Sequence, residues 1–316
     1  MAPGEGTNPP LPKVGLIMDF SKEIKIATGT ATSSFINLNS ITAAPTVGTP
    51  FSGYVTESVS YANAGISGFT ESQAQRDGAE ADIALLGPRQ AQLIVQVYGS
   101  SLADFYDKLN ALNGAMQPYP SFASTDDGFR ELRFVQPTAI TTSNNTTGLL
   151  NLLMKVRPTA IPAYTLNGDI VTLQTSDRGV STRASVTLLS KDPRKLSQAI
   201  RSAALNVSAS TSTATVVTND GNYYAYPIVT IASTHGSQQT ATISTSLWTT
   251  AVVIPANTTV TIDGKERTVL VGTTLRMDLV LGATTILPYL VEGANTVTVS
   301  ALTSTTVSFA YQEAWL

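Results

Sequence analysis

The sequence predicts a mainly β protein: β-sheets with one packed helix first, then an antiparallel C-terminal β-sandwich. Three observations carry this. The last hundred residues are short β-branched runs separated by turns at intervals of about ten residues, the pattern of a sandwich or barrel. One stretch alone, Leu102, Phe105, Leu109 and Leu112, has a clear helical stripe, and it directly follows a strand pattern. Charged residues are 13% of the chain, about half the usual share. Threonine takes over much of the solubilising role. It favours strands, and its hydroxyl costs less to desolvate than a charge, which suits faces that mate with neighbours.

The elements follow in order. Residues 1–15 are a Gly/Pro-rich arm, expected to be loose unless held from outside. Ser34–Leu38 reads as a strand, and Thr49–Tyr54 as a turn with chain re-entry. Gly78–Gly87 alternates small or apolar residues with polar ones before Gly87-Pro88 breaks it. In Gln90–Tyr98, Leu93, Val95 and Val97 face one way and Ile94, Gln96 and Tyr98 the other. Ser101 is placed to cap the helix that follows, with Asp104 in its first turn, and Gly114 is expected as a left-handed C-cap. Residues 131–135 and 149–156 read as strands, although Leu149–Met154 alone fits a short helix equally well. Gly179–Ser190 is a strand with Val180, Ala184, Val186 and Leu188 inward. Asp192-Pro193 fits the start of a short helix or a turn. Asn206–Thr215 reads as a linker or loose edge, and the domain boundary is placed near residue 207. Candidate strands of the last part are Asn222–Ile231, Thr240–Leu247, Thr259–Ile262, Thr268–Leu270, Leu275–Leu279, Asn295–Val299 and Thr306–Tyr311. Asp263-Gly264 marks a tight hairpin. The division is therefore a 1–15 arm, a 16–207 first domain and a 208–316 sandwich.

Composition excludes several chemistries. Cysteine is absent and His235 is the single histidine. This removes disulfides, Cys-ligated zinc, iron–sulfur clusters, thiol catalysis and multi-histidine metal sites. No G-x-S-x-G elbow accompanies His235, so serine catalysis lacks its parts and a solvated loop histidine is the reading. Glu80, Asp82, Asp126, Asp127, Asp263 and Glu266 are the acids from which a glycosidase pair would be drawn. Each falls in a turn, a helix start or a strand surface, where acids serve solvation. Asn219-Asp220-Gly221-Asn222 has a calcium loop's composition without its ligand spacing, and reads as a turn. Phosphate-binding glycine loops are missing. Tyr223, Tyr224, Tyr226 and Trp248 are candidates for a sugar-binding surface, with core or subunit contact the stronger reading. No catalytic, cofactor-binding or metal-binding residue is assigned, no cofactor is expected, and the protein is read as non-enzymatic. A net charge of −3 gives no basic field for nucleic acid. No apolar run is long enough to span a membrane and the first residues lack a signal-peptide pattern, so synthesis in the cytoplasm without membrane insertion is expected.

Several short motifs then align in order with one family. They are strand Gln90–Tyr98 with helix Ser101–Gly114 and Met116-Gln117-Pro118; Val186-Thr187-Leu188 running into Asp192-Pro193-Arg194; Asn219-Asp220-Gly221-Asn222 leading to Tyr226-Pro227; Ile262-Asp263 with Arg267-Thr268-Val269; Leu287–Val297; and the closing Tyr311–Trp315. Together they resemble the distal tail proteins of long-tailed, non-contractile bacteriophages (siphophages), over about residues 78–316. The 119–179 stretch is long for that family's first domain. The resemblance implies an N-terminal belt domain that closes into a homo-hexameric ring and a galectin-like C-terminal β-sandwich. It implies a structural role in the virion at the tail tip, after assembly in the host cytoplasm. There the ring joins the tail tube protein to the baseplate hub, with the tape measure protein and tail-fibre or receptor-binding proteins as further partners. A minor tail or baseplate carbohydrate-binding module is the alternative.

Overall fold

The computed structural model describes residues 24–28, 34–41, 50–62, 66–67, 70–72, 79–81, 85–118, 128–137, 148–166, 180–207, 211–282 and 287–316. The 1–15 arm lies outside these residues. The described chain is mainly β, as expected. Its first elements are β1 (Ile24–Ala27), β2 (Phe35–Asn37), β3 (Gly53–Tyr61), β4 (Ile66–Ser67), β5 (Thr70–Ser72), β6 (Ala79–Ala81), β7 (Leu85–Leu86) and β8 (Arg89–Gly99). Helix α1 (Leu102–Ala115), β9 (Arg130–Pro137), β10 (Leu149–Pro158), β11 (Ala163–Leu166), β12 (Val180–Ser190) and β13 (Lys195–Ser197) follow.

Strict alternation builds this part. Leu93, Val95 and Val97 are buried on one face of β8, and Val180, Ala184, Val186 and Leu188 on the paired face of β12, as their spacing predicts. The strands run β2-β1-β9-β10-β12-β8-β3. β10 settles the helix-or-strand ambiguity. Its first eight residues pair with β9, while Arg157 and Pro158 pair with β12, so one strand links two groups of strands. Helix α1 covers the core, with Phe105 and Leu112 each 1% exposed. The Ser101 side chain accepts from the Asp104 amide at 3.2 Å, the expected N-cap. Gly99 allows the close approach of helix to strand, because a Cβ there would lie 2.4 Å from the Phe105 backbone. Gly114 is a correction. The helix continues through it, because Ala115 and Met116 just beyond are buried, and their packing outweighs a glycine's preference for the cap.

The second set is β14 (Arg201–Val207), β15 (Thr213–Asn219), β16 (Ile228–Ser233), β17 (Gln239–Ser244), β18 (Thr249–Ile254), β19 (Thr259–Asp263), β20 (Thr268–Val271), β21 (Thr274–Leu275), β22 (Gly293–Val299), β23 (Thr305–Tyr311) and β24 (Ala314–Trp315). One sheet runs β14-β23-β16-β19-β20-β21 and another β15-β22-β17-β18. Their inward residues form one core, including Val229, Ile231, Val260 and Phe309 from the first sheet and Ala241, Ile243, Val252 and Val297 from the second. This is a two-sheet sandwich, and its core is distinct from that around α1.

Other expectations need correcting here. Asn206–Thr215 is not wholly a linker: β14 ends at Val207 and β15 begins at Thr213. Ala203, Leu205 and Val207 form the inward side of β14, but Ser202, Ala204 and Asn206 between them give a weak strand signal. Because β14 belongs to the sandwich, the chain enters that sheet at Arg201. Asn222–Pro227 is not strand but a loop with isolated bridges, since Pro227 has no amide to donate. Of Leu275–Leu279, only Leu275 belongs to a strand (β21, Thr274–Leu275), and Met277–Leu279 is a single 3-10 turn. β18 was not foreseen. Lys191–Leu196 makes no helix.

Candidate functional site

The motif residues converge where the two cores meet. β24 leaves the sandwich and pairs with β13, setting Leu196 opposite Ala314 and Lys195 opposite Trp315. Trp315 packs against the first core. The crossing is fastened by backbone and side chain. The Ser197 amide donates to the Glu313 carbonyl at 2.9 Å, the Glu313 amide donates to the Ser197 hydroxyl at 3.1 Å, and the Gln312 amide group donates to the Ser197 carbonyl at 2.6 Å. Glu313 is 3% exposed and faces Arg201 at 3.4 Å.

Asp192 and Arg194 sit at the same junction. Arg194 is 7% exposed and grips both oxygens of Asp192, with Nε to Oδ1 at 2.7 Å and Nη2 to Oδ2 at 2.6 Å. The rest of the guanidinium reaches across to the sandwich, donating to the Tyr224 carbonyl at 3.2 Å and lying over the Tyr226 ring. Lys265, on the β19–β20 hairpin, approaches Asp192 at 3.0 Å. Burial alone would raise the Asp192 carboxyl. The hydrogen bonds and charge of Arg194, with Lys265 beside it, outweigh burial and hold it at about 2.

The asparagines of the other motifs close loops on this junction. Asn219 is fully buried. It donates to the carbonyls of Tyr223 and Leu290 and accepts from the Gly221 amide at 3.1 Å. Gly221 packs on β24, where a Cβ would fall 2.1 Å from the Ala314 carbonyl oxygen. Asn295 holds the Val291–Gly293 corner from both ends of its amide.

The other sequence candidates are scattered. His235 is half-buried in the β16–β17 turn, its Nδ1 beside the Ser237 hydroxyl at 3.0 Å. Asp263 caps its hairpin, accepting from the amides of Lys265 and Glu266 at 2.8 and 2.9 Å. Glu80 lies on β6. Asp82, Asp126 and Asp127 fall outside the described residues. Among the described residues no group of three acids or histidines is arranged for a metal, and no helix is long and apolar enough to cross a membrane.

The aromatic candidates divide. Trp248 is buried, its indole N–H donating to the Tyr289 carbonyl at 2.6 Å. Tyr223 is half-buried, its ring edge against Tyr224. Tyr224 is 44% exposed and, with Tyr226, Tyr289, Arg267 and Met277, lines an open cleft of about 580 Å³. Tyr289 was missed in the sequence because the chain brings it to Tyr224 only through the Ala225–Leu290 bridge.

No family model matches the sequence, and no curated protein matches it. Solved structures do. The fold is shared with a phage hub protein. One protein it is similar to is SPP1 Dit (gp 19.1), described as a paradigm of the hub adsorption apparatus of phages that infect Gram-positive bacteria. The likeness covers 83% of this chain and 94% of that one, at 14% identity and a TM-score of 0.54. Two structures of the phage p2 baseplate in its activated conformation, with Sr and with Ca, align over 92% of this chain and 97% of theirs. Their identities are 8% and 10%, with TM-scores of 0.42 and 0.39.

Proposed function

We propose that this chain is a structural tail-tip protein of a siphophage. Six copies close into a ring that joins the tail tube to the baseplate hub and carries peripheral or receptor-binding proteins. The observation that carries the reading is the likeness to SPP1 Dit over nearly that protein's whole length. The physics of the chain agrees with it. A ring pairs unlike faces of adjacent subunits, and a chain with only 13% charged residues brings little desolvation cost to such faces. β2 and β3 end the path of the first sheet and offer strand edges for a neighbour to complete.

The division of labour we infer is a ring-forming domain up to about residue 200 and a sandwich domain beyond it. The DPR junction and β24 hold the sandwich in one orientation, so that six copies present six equivalent outer faces. The role is non-enzymatic. The tail-tube and hub proteins are the partners proposed for its two ends, in the assembled virion.

Negative-stain electron microscopy of the purified chain tests this. Closed rings with a central opening are expected. Isolated two-lobed particles at every concentration, also with the other tail proteins present, would overturn the ring. Glycan screens comparing the intact chain with Tyr224→Ala would then examine the aromatic cleft.

A further inference from the structure

The inward face of the first sheet ends in polar groups. β8 alternates strictly, so Arg89 shares the buried face of Ala91, Leu93 and Val95, and it is 7% exposed. Tyr61 pairs with Ala91 across β3 and β8, which sets its ring on that same face. Its ring also packs on Phe134. Lys195 of β13 brings a second cation, its ammonium 5.8 Å from the Tyr61 ring centre and 3.3 Å from the Gln136 amide oxygen. The Nε of Arg89 and the hydroxyl of Tyr61 are both buried and have no hydrogen-bond partner. Among the described residues no carboxylate pairs with the Arg89 guanidinium. Two cations and a phenol O–H thus converge at the end of an apolar core with donors in excess, an arrangement that burial penalises unless an acceptor with negative charge joins it. The consequence is visible at Lys195, whose ammonium is pushed to lower pKa by burial and by the Arg89 charge.

We propose that Arg89, Tyr61 and Lys195 form a socket for one compact oxyanion of the carboxylate or phosphate type. Lys195 and Gln136 also line a groove of about 550 Å³ beside the junction, so the rim cation faces open space on that side. Arg201, Asp220, Glu292 and Glu313 line the same groove, so its charge is mixed and the oxyanion's positive partners are Lys195 and Arg89. Arg89 supplies a planar donor edge, Tyr61 an O–H and Lys195 a mobile charge at the rim. The oxyanion has two sources, a free anion from solution or the carboxylate of an acidic side chain on a second copy of the chain. Only the second rests on the ring reading.

The test uses the full chain, Arg89→Met, and Lys195→Met as the rim variant whose folding is least at risk. Thermal unfolding is followed with inorganic phosphate or acetate against chloride at constant ionic strength. Self-association of the same samples is measured by sedimentation. A midpoint that rises with phosphate or acetate in the parent, and not in either variant, establishes the socket with a free anion. No such rise, but self-association weakened at least tenfold in both variants, establishes it with a neighbour's carboxylate. A parent unaffected by either anion, with both variants associating as the parent does, overturns the proposal.

Discussion

Replacing Asp192 with asparagine probes the junction directly. The carboxyl titrates at about 2 in the folded chain against an ordinary 3.8. At about 1.4 kcal/mol per pH unit, that difference corresponds to roughly 2 kcal/mol of stability. Because folding depresses the carboxyl, this contribution is complete above about pH 4 and is lost as the pH falls toward 2. The variant also leaves Arg194, 7% exposed, without its counter-charge. That loss belongs to the same interaction, and its usual range of about 3–5 kcal/mol sets the upper limit. Asp192→Asn is therefore expected to lower stability at pH 7 by about 2–5 kcal/mol. The gap between variant and parent should narrow steadily between pH 4 and pH 2. The two tryptophans allow an assay by denaturant titration. Trp248 reports the sandwich core, and Trp315 the crossing strand. Trp315 should lose its folded signal before Trp248 in the variant, since the junction is what has been weakened. Equal stability of the two chains at pH 7, or a difference that does not change with pH, would refute the electrostatic account.

Two further substitutions follow from close packing. Phe105→Ala empties a fully buried site between α1 and the first sheet, and should cost about 3–5 kcal/mol in denaturant unfolding; a loss below about 1 kcal/mol would contradict the packing. Gly221→Ala places a methyl group 2.1 Å from the Ala314 carbonyl oxygen, so β24 must shift. Acrylamide should then quench Trp315 more readily and leave Trp248 unchanged, whereas an unaltered Trp315 would mean the strand does not pack as described.

Much of the framework was legible because local and tertiary signals agree. β8 and β12 alternate without interruption, and the burial of every second residue follows. The stripe of α1 and its Ser101 cap are local chemistry, and both appear where the spacing puts them. The failures have a common cause in packing that local sequence does not report. The α1 terminus follows the buried Ala115 and Met116 rather than Gly114. β14 mixes Arg201, Asn206 and two alanines with a single Leu and Val, and it becomes a strand because β23 pairs along its whole length. Asp192 does accept the Arg194 amide at 3.1 Å, the local capping bond its sequence suggests. Its carboxylate is nevertheless committed to the Arg194 side chain and Lys265, a tertiary arrangement that also fixes the sandwich. Arg89 opens an alternating strand like any residue at a strand end, and only its burial singles it out.

The central claim, that the chain is a ring-forming tail-tip subunit, is tested most directly by its mass in solution across a concentration series. The account predicts a species of about six times the 33.2 kDa chain mass that grows with concentration at the expense of the monomer. A constant mass of one chain throughout, unchanged by the other tail proteins, would contradict it.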